Sequence, residues 1–427
     1  MKIKHLAKVG VALLAAFALA ACGSPVEPPA TTGAPPPAGG DQITLNALFM
    51  DQAGYSEQQV QQMIADYTAT HPNIKVDAKF VAYEALHDGI VTSASAGTYD
   101  IVLLDVIWPA EFAATNIVLD VTDRYPASWK DDMLGGAYYT AEYMGKFYGV
   151  PWGPSTKFFY YNTEMVAAVG GTEADMETWD GVLAIAKKIK DAGLAEFPIA
   201  WSWIQEEAVI CDYGQLLGAF GGQFTDASGK LSVNNEVGVK TLEWMRKTIT
   251  DGLSNPASTT FLEDDVQKAL AQGQTAFGLN WESTFEDLQD PGQSNVVGKI
   301  KMIATPKGPS GARPGVNGAM ALSIPTKSAH VEEAWDLIVH LTSQEQQDKY
   351  PTGWLPNWKS SYTNAAITSQ APEVFAAAEI GYADLILRPA VPNYTEASTA
   401  LQAEIQSVLI GAKDAQKAMD DAVAAAG

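Results

Sequence analysis

The clearest hydrophobic pattern in the chain is Ile101-Val102-Leu103-Leu104, a run of branched and aliphatic residues that no polar residue interrupts. A run without polar alternation predicts a strand buried on both faces, as in parallel α/β sheets. The run ends at Asp105, and Trp108 and Glu111 follow it. Because ligands of open α/β sheets lie beyond the carboxyl ends of the strands, these three side chains are candidates for a ligand site.

The residues before this strand predict a β-α-β-α-β unit with parallel pairing. The predicted elements are a strand at 43–49, a helix between the capping residue Ser56 and His71, a strand at 74–80 and a helix at 83–95. Asp51 lies in the loop after the first of these strands. It is therefore expected at the same edge of the sheet as Asp105.

The rest of the chain continues to mix strand and helix patterns. Strands are predicted at 157–162, 197–203, 275–281, 300–305 and 319–324, and helices at 179–190, 211–220, 237–249, 263–272, 331–349 and 395–426. The segment 145–154 combines strand residues with three glycines and two prolines. This composition favours a hinge between two lobes over the interior of a strand.

The N-terminal residues predict an exported lipoprotein. Three lysines precede an apolar run at 9–21 that is too short for a mature membrane anchor, so residues 1–21 are predicted to be a signal peptide. Leu19-Ala20-Ala21-Cys22 resembles a bacterial lipobox, in which Cys22 is the lipidated residue. A Pro/Gly-rich tether over 22–42 follows. We therefore expect an extracytoplasmic protein that is anchored to the cell membrane by lipid alone.

Charge and cysteine content narrow the range of partners. The chain has 50 acidic and 27 basic residues, a formal net charge of −23, which makes nucleic acid and anionic ligands poor partners. With Cys22 lipidated, Cys211 is left alone, so no internal disulfide is expected, and Cys211 is predicted to be a small buried residue. The five histidines are dispersed and no metal-binding or cofactor motif is present in the sequence, so none is predicted.

The residue types near Asp105 suit a sugar. Carboxylates accept strong hydrogen bonds from hydroxyl groups, and an indole such as that of Trp108 offers a flat apolar face. An alternative stays open at this point, in which Asp105 caps the helix beginning near Pro109 and Trp108 belongs to the core.

From residue 145 onward the motifs resemble the family 1 extracellular solute-binding proteins, which feed ABC importers and mostly carry sugars. The similar stretches are Gly145-Lys146-Phe147-Tyr148-Gly149-Val150-Pro151, Phe159-Tyr160-Tyr161-Asn162, Ala271-Gln272-Gly273-Gln274-Thr275-Ala276-Phe277 with Trp281, the segment 318–347, and Gly353-Trp354-Leu355-Pro356. The resemblance implies a two-lobe α/β fold of the periplasmic-binding-protein type, with parallel-dominated sheets and a cleft at a multi-strand hinge. The predicted lobes are 43–152 plus about 306–352, and about 153–305 plus 353–427.

Three further stretches resemble the branch of that family that binds trehalose, maltose and related α-glucosides. They are Leu104-Asp105-Val106-Ile107-Trp108, Ala208-Val209-Ile210-Cys211-Asp212-Tyr213 and Arg388-Pro389-Ala390-Val391-Pro392. By this resemblance Asp105, Trp281 and Arg388 fall on binding positions. The chain departs from the branch at Gly153-Pro154-Ser155-Thr156, where an acid is usual, and at Asn317-Gly318-Ala319, where an aromatic residue is usual. These departures leave the particular sugar open.

The predicted site combines stacking indoles with polar partners. Trp281 is expected to stack on pyranose rings with help from Trp152 and Trp354, and the residues expected to bind the hydroxyl rim are Asp51, Asp105, Glu282, Asn317 and Arg388. Two alternatives remain open. Arg388 forms an interdomain salt bridge instead of a ligand contact, and Trp201 and Trp203 belong either to the core or to the site.

These observations lead to one expected function and two rivals. The expected function is that of a monomeric substrate-binding lipoprotein that closes around a sugar and delivers it to a membrane permease, without cofactor or catalysis. One rival is a surface-tethered glycoside hydrolase that uses Asp105 with Glu111 or Glu282. The other rival keeps the fold but binds a cation such as a polyamine.

Overall fold

The computed structural model describes residues 42–51 and 54–426. Gln42–Gly427 form one compact unit. The predicted signal peptide, the lipidation site Cys22 and the tether up to residue 41 lie outside the described residues. None of the helices within residues 42–51 and 54–426 is long and apolar enough to cross a membrane.

Strands and helices alternate along most of the described chain. The strands are β1 (Ile43–Met50), β2 (Ile74–Val81), β3 (Ile101–Asp105), β4 (Glu142–Tyr143), β5 (Lys146–Phe147), β6 (Val150–Gly153), β7 (Lys157–Asn162), β8 (Ile199–Ala200), β9 (Phe277–Trp281), β10 (Ile300–Ile303), β11 (Gly315–Val316), β12 (Met320–Ser323) and β13 (Leu385–Ile386). The helices are α1 (Glu57–Thr70), α2 (Tyr83–Ala94), α3 (Pro109–Ala114), α4 (Trp129–Asp132), α5 (Gly135–Tyr138), α6 (Thr163–Ala168), α7 (Trp179–Asp191), α8 (Glu207–Ala219), α9 (Glu236–Thr250), α10 (Glu263–Ala271), α11 (Thr284–Gln289), α12 (Val331–Leu341), α13 (Gln344–Gln347), α14 (Lys359–Thr363), α15 (Ala365–Thr368), α16 (Pro372–Gly381), α17 (Tyr394–Leu409) and α18 (Ala415–Ala426).

The first sheet has the strand order β2-β1-β3-β12-β6. β1 pairs in parallel with β2 and β3, as the β-α-β-α-β pattern predicted. All residues of β3 are buried, which confirms that this strand is covered on both faces. The capping box of Ser56 and Gln59 at the start of α1 is also confirmed.

The second sheet has the strand order β10-β7-β9-β8. Its two faces carry separate apolar clusters, because successive side chains of a strand point to opposite faces. In β7, Phe159 and Tyr161 pack into one cluster with α7 and α8, whereas Phe158 and Tyr160 pack into another with α10 and α16.

The predicted two-lobe α/β fold is confirmed, but the sheets are mixed instead of parallel-dominated. In the first sheet β12 runs antiparallel to both β3 and β6, and in the second sheet β7 runs antiparallel to both β9 and β10. Strands β6, β7 and β12 adjoin segments that run between the sheets. Each therefore joins its sheet without a crossover helix, which a parallel neighbour would need.

Two predicted elements need correction. The predicted hinge at 145–154 includes β6, an edge strand of the first sheet that contains Pro151; an edge strand tolerates a proline because one of its sides has no ladder to break. The predicted helix at 331–349 is two helices, because Ser343 caps α13 with its side chain and so ends the first helix.

The chain crosses between the sheets at short segments that lie close together. Residues 154–156 join β6 to β7, and the segment around Gly318 leads back to β12. The backbone N–H of Gly318 donates to the carbonyl oxygen of Ser155 at 2.9 Å, so these two crossings are hydrogen-bonded to each other. We call these two crossings the hinge.

Candidate functional site

A cavity lies between the two sheets, beside the hinge. Its volume is about 110 Å³, which is below the roughly 300 Å³ at which typical ligand pockets begin. Some of the lining residues lie in strands of the first sheet or in segments that pack beside it. They are Met50, Tyr83, Glu84, Asp105, Met320 and Trp354. The other lining residues are Ser155, Glu206, Glu207, Ala208, Cys211, Leu262, Glu263, Asp264, Gln267, Asn280, Trp281, Ser283, Thr284, Gly318 and Arg388.

Four of the residues singled out in the sequence line this cavity together. Asp105 is the last residue of β3 and Trp281 the last residue of β9, so the ends of two strands from different sheets face one space. Trp354 and Arg388 complete the set. Among the described residues, no group of three or more His, Cys, Asp or Glu side chains is arranged to hold a metal ion.

The other predicted ligand contacts are not among the residues that line the cavity. Trp108 is buried and stacks on Tyr83 at 5.8 Å between ring centroids. Trp152 is buried in the first lobe, where its Nε1 donates to the carbonyl oxygen of Leu341. Both indoles are therefore core residues, and they pack beneath the residues that line the cavity.

Asp51, Glu282 and Asn317 take other positions. Asp51 is exposed; burial raises the pKa of Asp264, a lining residue, and the charge of Asp51 adds to that shift. Glu282 is fully buried and accepts a hydrogen bond from Ser155. Asn317 uses its side-chain oxygen to accept from the backbone N–H of Ala319, which shapes the crossing segment.

Arg388 is held at the junction of the two sheets by carboxylates. Its Nη2 lies 3.0 Å from Asp105 Oδ1 and donates at 3.1 Å to the carbonyl oxygen of Asn317, while its Nη1 lies 2.9 Å from Glu207 Oε1. Asp105 belongs to the first sheet, and Glu207 begins α8 beside the second. The structure thus contains the interdomain salt bridge that was one of the two expectations for Arg388, and the same side chain also lines the cavity.

Burial and pairing set the protonation of this group. Burial raises the pKa of Asp105, and the Arg388 guanidinium opposes that shift. Burial alone lowers the pKa of Arg388, but the surrounding anions, Asp105 first, outweigh it and leave the pKa well above its ordinary value. The guanidinium is therefore charged throughout the pH range in which the protein is folded.

A second buried cation lies behind Trp281. The Nζ of Lys157 lies 5.1 Å from the centroid of the Trp281 ring, in a cation–π contact. It is bound by Asp212 at 2.7 Å and by Glu263 at 2.9 Å. The ring is thus fixed against a charged group that water does not reach.

Glycines make room for the two indoles of the cavity. A Cβ atom on Gly318 would lie 2.4 Å from Cζ3 of Trp281, and a Cβ atom on Gly153 would lie 2.4 Å from Cδ2 of Trp354. A side chain at either position would force the indole ring to shift. The two glycines therefore let the indole rings lie directly against the backbone.

Most of the acids that line the cavity were not predicted as site residues from the sequence. These are Glu84, Glu206, Glu207, Glu263 and Asp264. Four of them cap or begin α8 and α10. Acids at these positions also stabilise the helix dipole, so their positions in the sequence did not distinguish ligand contacts from ordinary helix N-termini. The available signal was that a helix following a parallel strand begins at the carboxyl edge of the sheet.

Trp201 and Trp203 lie in the core of the second lobe. Both are fully buried, and their rings stack at 4.9 Å between centroids. The Nε1 of Trp201 donates to Ser254 Oγ at 2.8 Å. Neither residue lines the cavity.

Comparison with known proteins gives consistent matches. The family model described as bacterial extracellular solute-binding protein matches residues 53–348. A probable ABC transporter-binding protein of Deinococcus radiodurans is 26% identical over 334 residues, covering 74% of this chain and 76% of the relative. The arabinooligosaccharide-binding protein of Bacillus subtilis is 24% identical over 307 residues, covering 69% of each chain.

Solved structures agree with these matches. Maltose-bound MalE3 of T. maritima has a TM-score of 0.82 with this chain at 26% identity, covering 90% of this chain and 98% of the other. The matched family residues include the hinge, the second sheet and every strand of the first sheet except β1. The chain therefore belongs to the family of bacterial extracellular solute-binding proteins, whose members act outside the cytoplasm as binding components of transport systems.

Proposed function

We propose that this protein captures a neutral di- or oligosaccharide, an α-glucoside such as maltose or trehalose, and delivers it to the membrane subunits of an ABC importer. The observation that carries the proposal is the meeting of Asp105, Trp281, Trp354 and Arg388 around one cavity between two lobes. A ligand that contacts both lobes shifts the equilibrium toward the closed form, which the permease would recognise. The maltose bound to MalE3 and the arabinooligosaccharide for which the B. subtilis relative is named support a carbohydrate ligand.

The two indoles and the polar groups contact different parts of the sugar. Trp281 and Trp354 stack on the C–H faces of pyranose rings, and Asp105, Glu207 and Arg388 bind the hydroxyl groups. Trp108, Trp152 and Asn317 hold these residues in place. Asp51 is not among the residues that line the cavity, but its negative charge acts on Asp264, which is.

We further propose that the protein is a monomer without enzymatic activity, anchored through a lipid on Cys22. The carboxylates of the rival hydrolase mechanism do not form a free pair in the cavity: Glu111 binds His87 at 3.1 Å and Glu282 is fully buried. A chromogenic α-glucoside that is bound but not cleaved is the expected result, and turnover would contradict the proposal.

A second candidate cargo is a cation such as a polyamine, because acids outnumber Arg388 among the residues that line the cavity. Two observations favour the neutral sugar. Asp105, Glu207 and Glu263 are already paired with Arg388 or Lys157. The ring of Trp281 already holds the Lys157 ammonium group, and a second cation on that ring would be repelled by the first.

The deciding experiment is calorimetry with maltose, trehalose, sucrose and spermidine. We expect one of the sugars to bind and spermidine not to bind. Trp281→Ala should lower the affinity for that sugar by about 100-fold, or ~2.7 kcal/mol, because the stacking contact is lost. Trp335→Ala, which changes an indole that packs in the first lobe, is the matched control and should leave the affinity unchanged. Unchanged affinity in Trp281→Ala would remove Trp281 from the site.

A further inference from the structure

A buried carboxylate is bound to the hinge itself. Glu282 follows directly after β9, and its side chain has no exposed surface. Its Oε2 accepts from Ser155 Oγ at 3.0 Å, and the backbone N–H of Thr156 also donates to the carboxylate. Ser155 and Thr156 join the two sheets, so their backbone must change when the lobes rotate. The hydrogen bonds of Glu282 therefore depend on the position of the lobes.

Several buried oxygens around Glu282 are not satisfied within the described part of the chain. They are Glu282 Oε1, the hydroxyl groups of Tyr55 and Tyr362, and Thr156 Oγ1. Burial raises the pKa of both tyrosines, and nearby negative charges, including that of Glu282, add to the shift. Leaving a buried polar atom without a partner costs about 1–3 kcal/mol. A proton on the carboxyl group reduces this cost, because it removes the buried charge and supplies a donor.

The surroundings of Glu282 contain phenols and further acids. Tyr55 faces it from the loop after β1, Tyr160 from β7, Tyr362 from α14 and Tyr382 from the segment after α16. The charged groups that act on these phenols are Glu286, Asp287 and Asp348. Burial raises the pKa of Glu282 to about 8, although the hydrogen bonds from its own backbone, Ser155 and Thr156 oppose the shift.

Tyr55 connects this group to the first lobe. Its ring packs against Trp152 at 5.4 Å and against Trp354 at 5.7 Å between centroids. Separation of the lobes would carry Tyr55 with the first lobe and let water reach Glu282, which favours the ionised carboxylate. The closed form covers it again.

We propose that Glu282 takes up one proton from solvent when the lobes close and returns it when they open, so that lobe closure is linked to pH. The step converts the carboxylate to the neutral acid and changes no other bond. The link between closure and cargo rests on the proposed function; the proton uptake itself does not.

The direction of the pH effect follows from the sign of the shift. The closed form holds its proton up to a higher pH than the open form, whose carboxyl group approaches the ordinary value of 4.5. Closure is therefore most favourable at low pH, weakens as the pH rises toward about 8 and changes no further above it. The closed-to-open ratio falls by at most about tenfold per pH unit.

The test is small-angle X-ray scattering on the purified full chain without ligand, from pH 6 to pH 9. We expect the radius of gyration of the wild type to increase with pH. Glu282→Gln, which copies the neutral acid, should keep the compact value throughout. Ser155→Ala removes a donor that lowers the pKa of Glu282, so the increase should move to higher pH. A constant radius in the wild type, or an equal increase in Glu282→Gln, would overturn the proposal.

A second measurement separates this proposal from the cargo. In calorimetry with maltose, the wild type should take up a proton on binding and lose affinity as the pH rises, while Glu282→Gln should vary less than about twofold. If no sugar of the panel binds but the scattering response is present, the cargo is wrong and the proton site stands. If Glu282→Gln does not fold, the Ser155→Ala midpoint decides, and an unchanged midpoint refutes the assignment.

Discussion

Two buried cations among the described residues, Lys157 and Arg388, are each held by two carboxylates, and they differ in which parts of the fold they connect. Lys157 binds Asp212 and Glu263, and all three belong to the second lobe. Arg388 binds Asp105, at the end of the first sheet, and Glu207, beside the second. Both cations lie next to the cavity, but only the Arg388 cluster connects its two sides.

This difference indicates which ion pairs change when a ligand binds and the lobes move. The Lys157 cluster keeps its geometry when the lobes move, because its members move together, so it serves as fixed support for Trp281. The Arg388 cluster must break or rearrange when the lobes separate, and its carboxylates then meet water. Its net stabilisation of the closed form is therefore small, since hydration in the open form replaces most of the lost attraction.

The largest effect is expected from removing the fixed cation. Lys157→Met leaves the fully buried Asp212 and the largely buried Glu263 without their partner, and should lower the free energy of unfolding by about 3–5 kcal/mol. Urea unfolding measures it. Lys187→Met, which removes an exposed pair with Asp191, is the control and should change the free energy by less than about 0.5 kcal/mol. A Lys157 loss as small as that of the control would show that the pair is hydrated.

Removing the bridging cation should affect binding more than folding. Arg388→Met leaves Asp105 and Glu207 facing each other, but opening of the lobes hydrates both, so the free energy of unfolding should fall by only about 1–2 kcal/mol. Affinity for the bound sugar should fall at least about tenfold, because closure now brings two carboxylates together. Paired urea and calorimetry measurements test this split. A stability loss equal to that of Lys157→Met would contradict the comparison.

The smallest effect is expected from the glycine beneath Trp281. Gly318→Ala places a methyl group where the ring now lies, at 2.4 Å, so the half-buried indole must shift. We expect a cost of about 1 kcal/mol in stability and a loss of up to about tenfold in sugar affinity. The control is Gly135→Ala, where a Cβ atom meets nothing within 4 Å. Unchanged affinity in Gly318→Ala would show that the position of the ring does not matter for binding.

Local patterns predicted most of the fold because each depends on neighbours in sequence. The apolar run of β3, the capping box of α1 and the alternation of β2 need only a few adjacent residues. Pairing direction was predicted less well, since whether β12 runs parallel or antiparallel to β3 depends on how the chain returns from the other lobe. A one-dimensional pattern does not contain that path.

For the site, the sequence by itself determined the chemistry available: many acids, abundant indoles, few cations and a family resemblance that selected Asp105, Trp281 and Arg388. Only the tertiary structure decided which members of this set share a cavity. Trp152 and Trp354 lie in contact, yet the first is core and the second faces the cavity. Glu282 and Trp281 are adjacent in the chain, yet Glu282 is buried beside the hinge and Trp281 lines the cavity. Burial and pairing depend on residues hundreds of positions away, and neither is encoded in the local pattern.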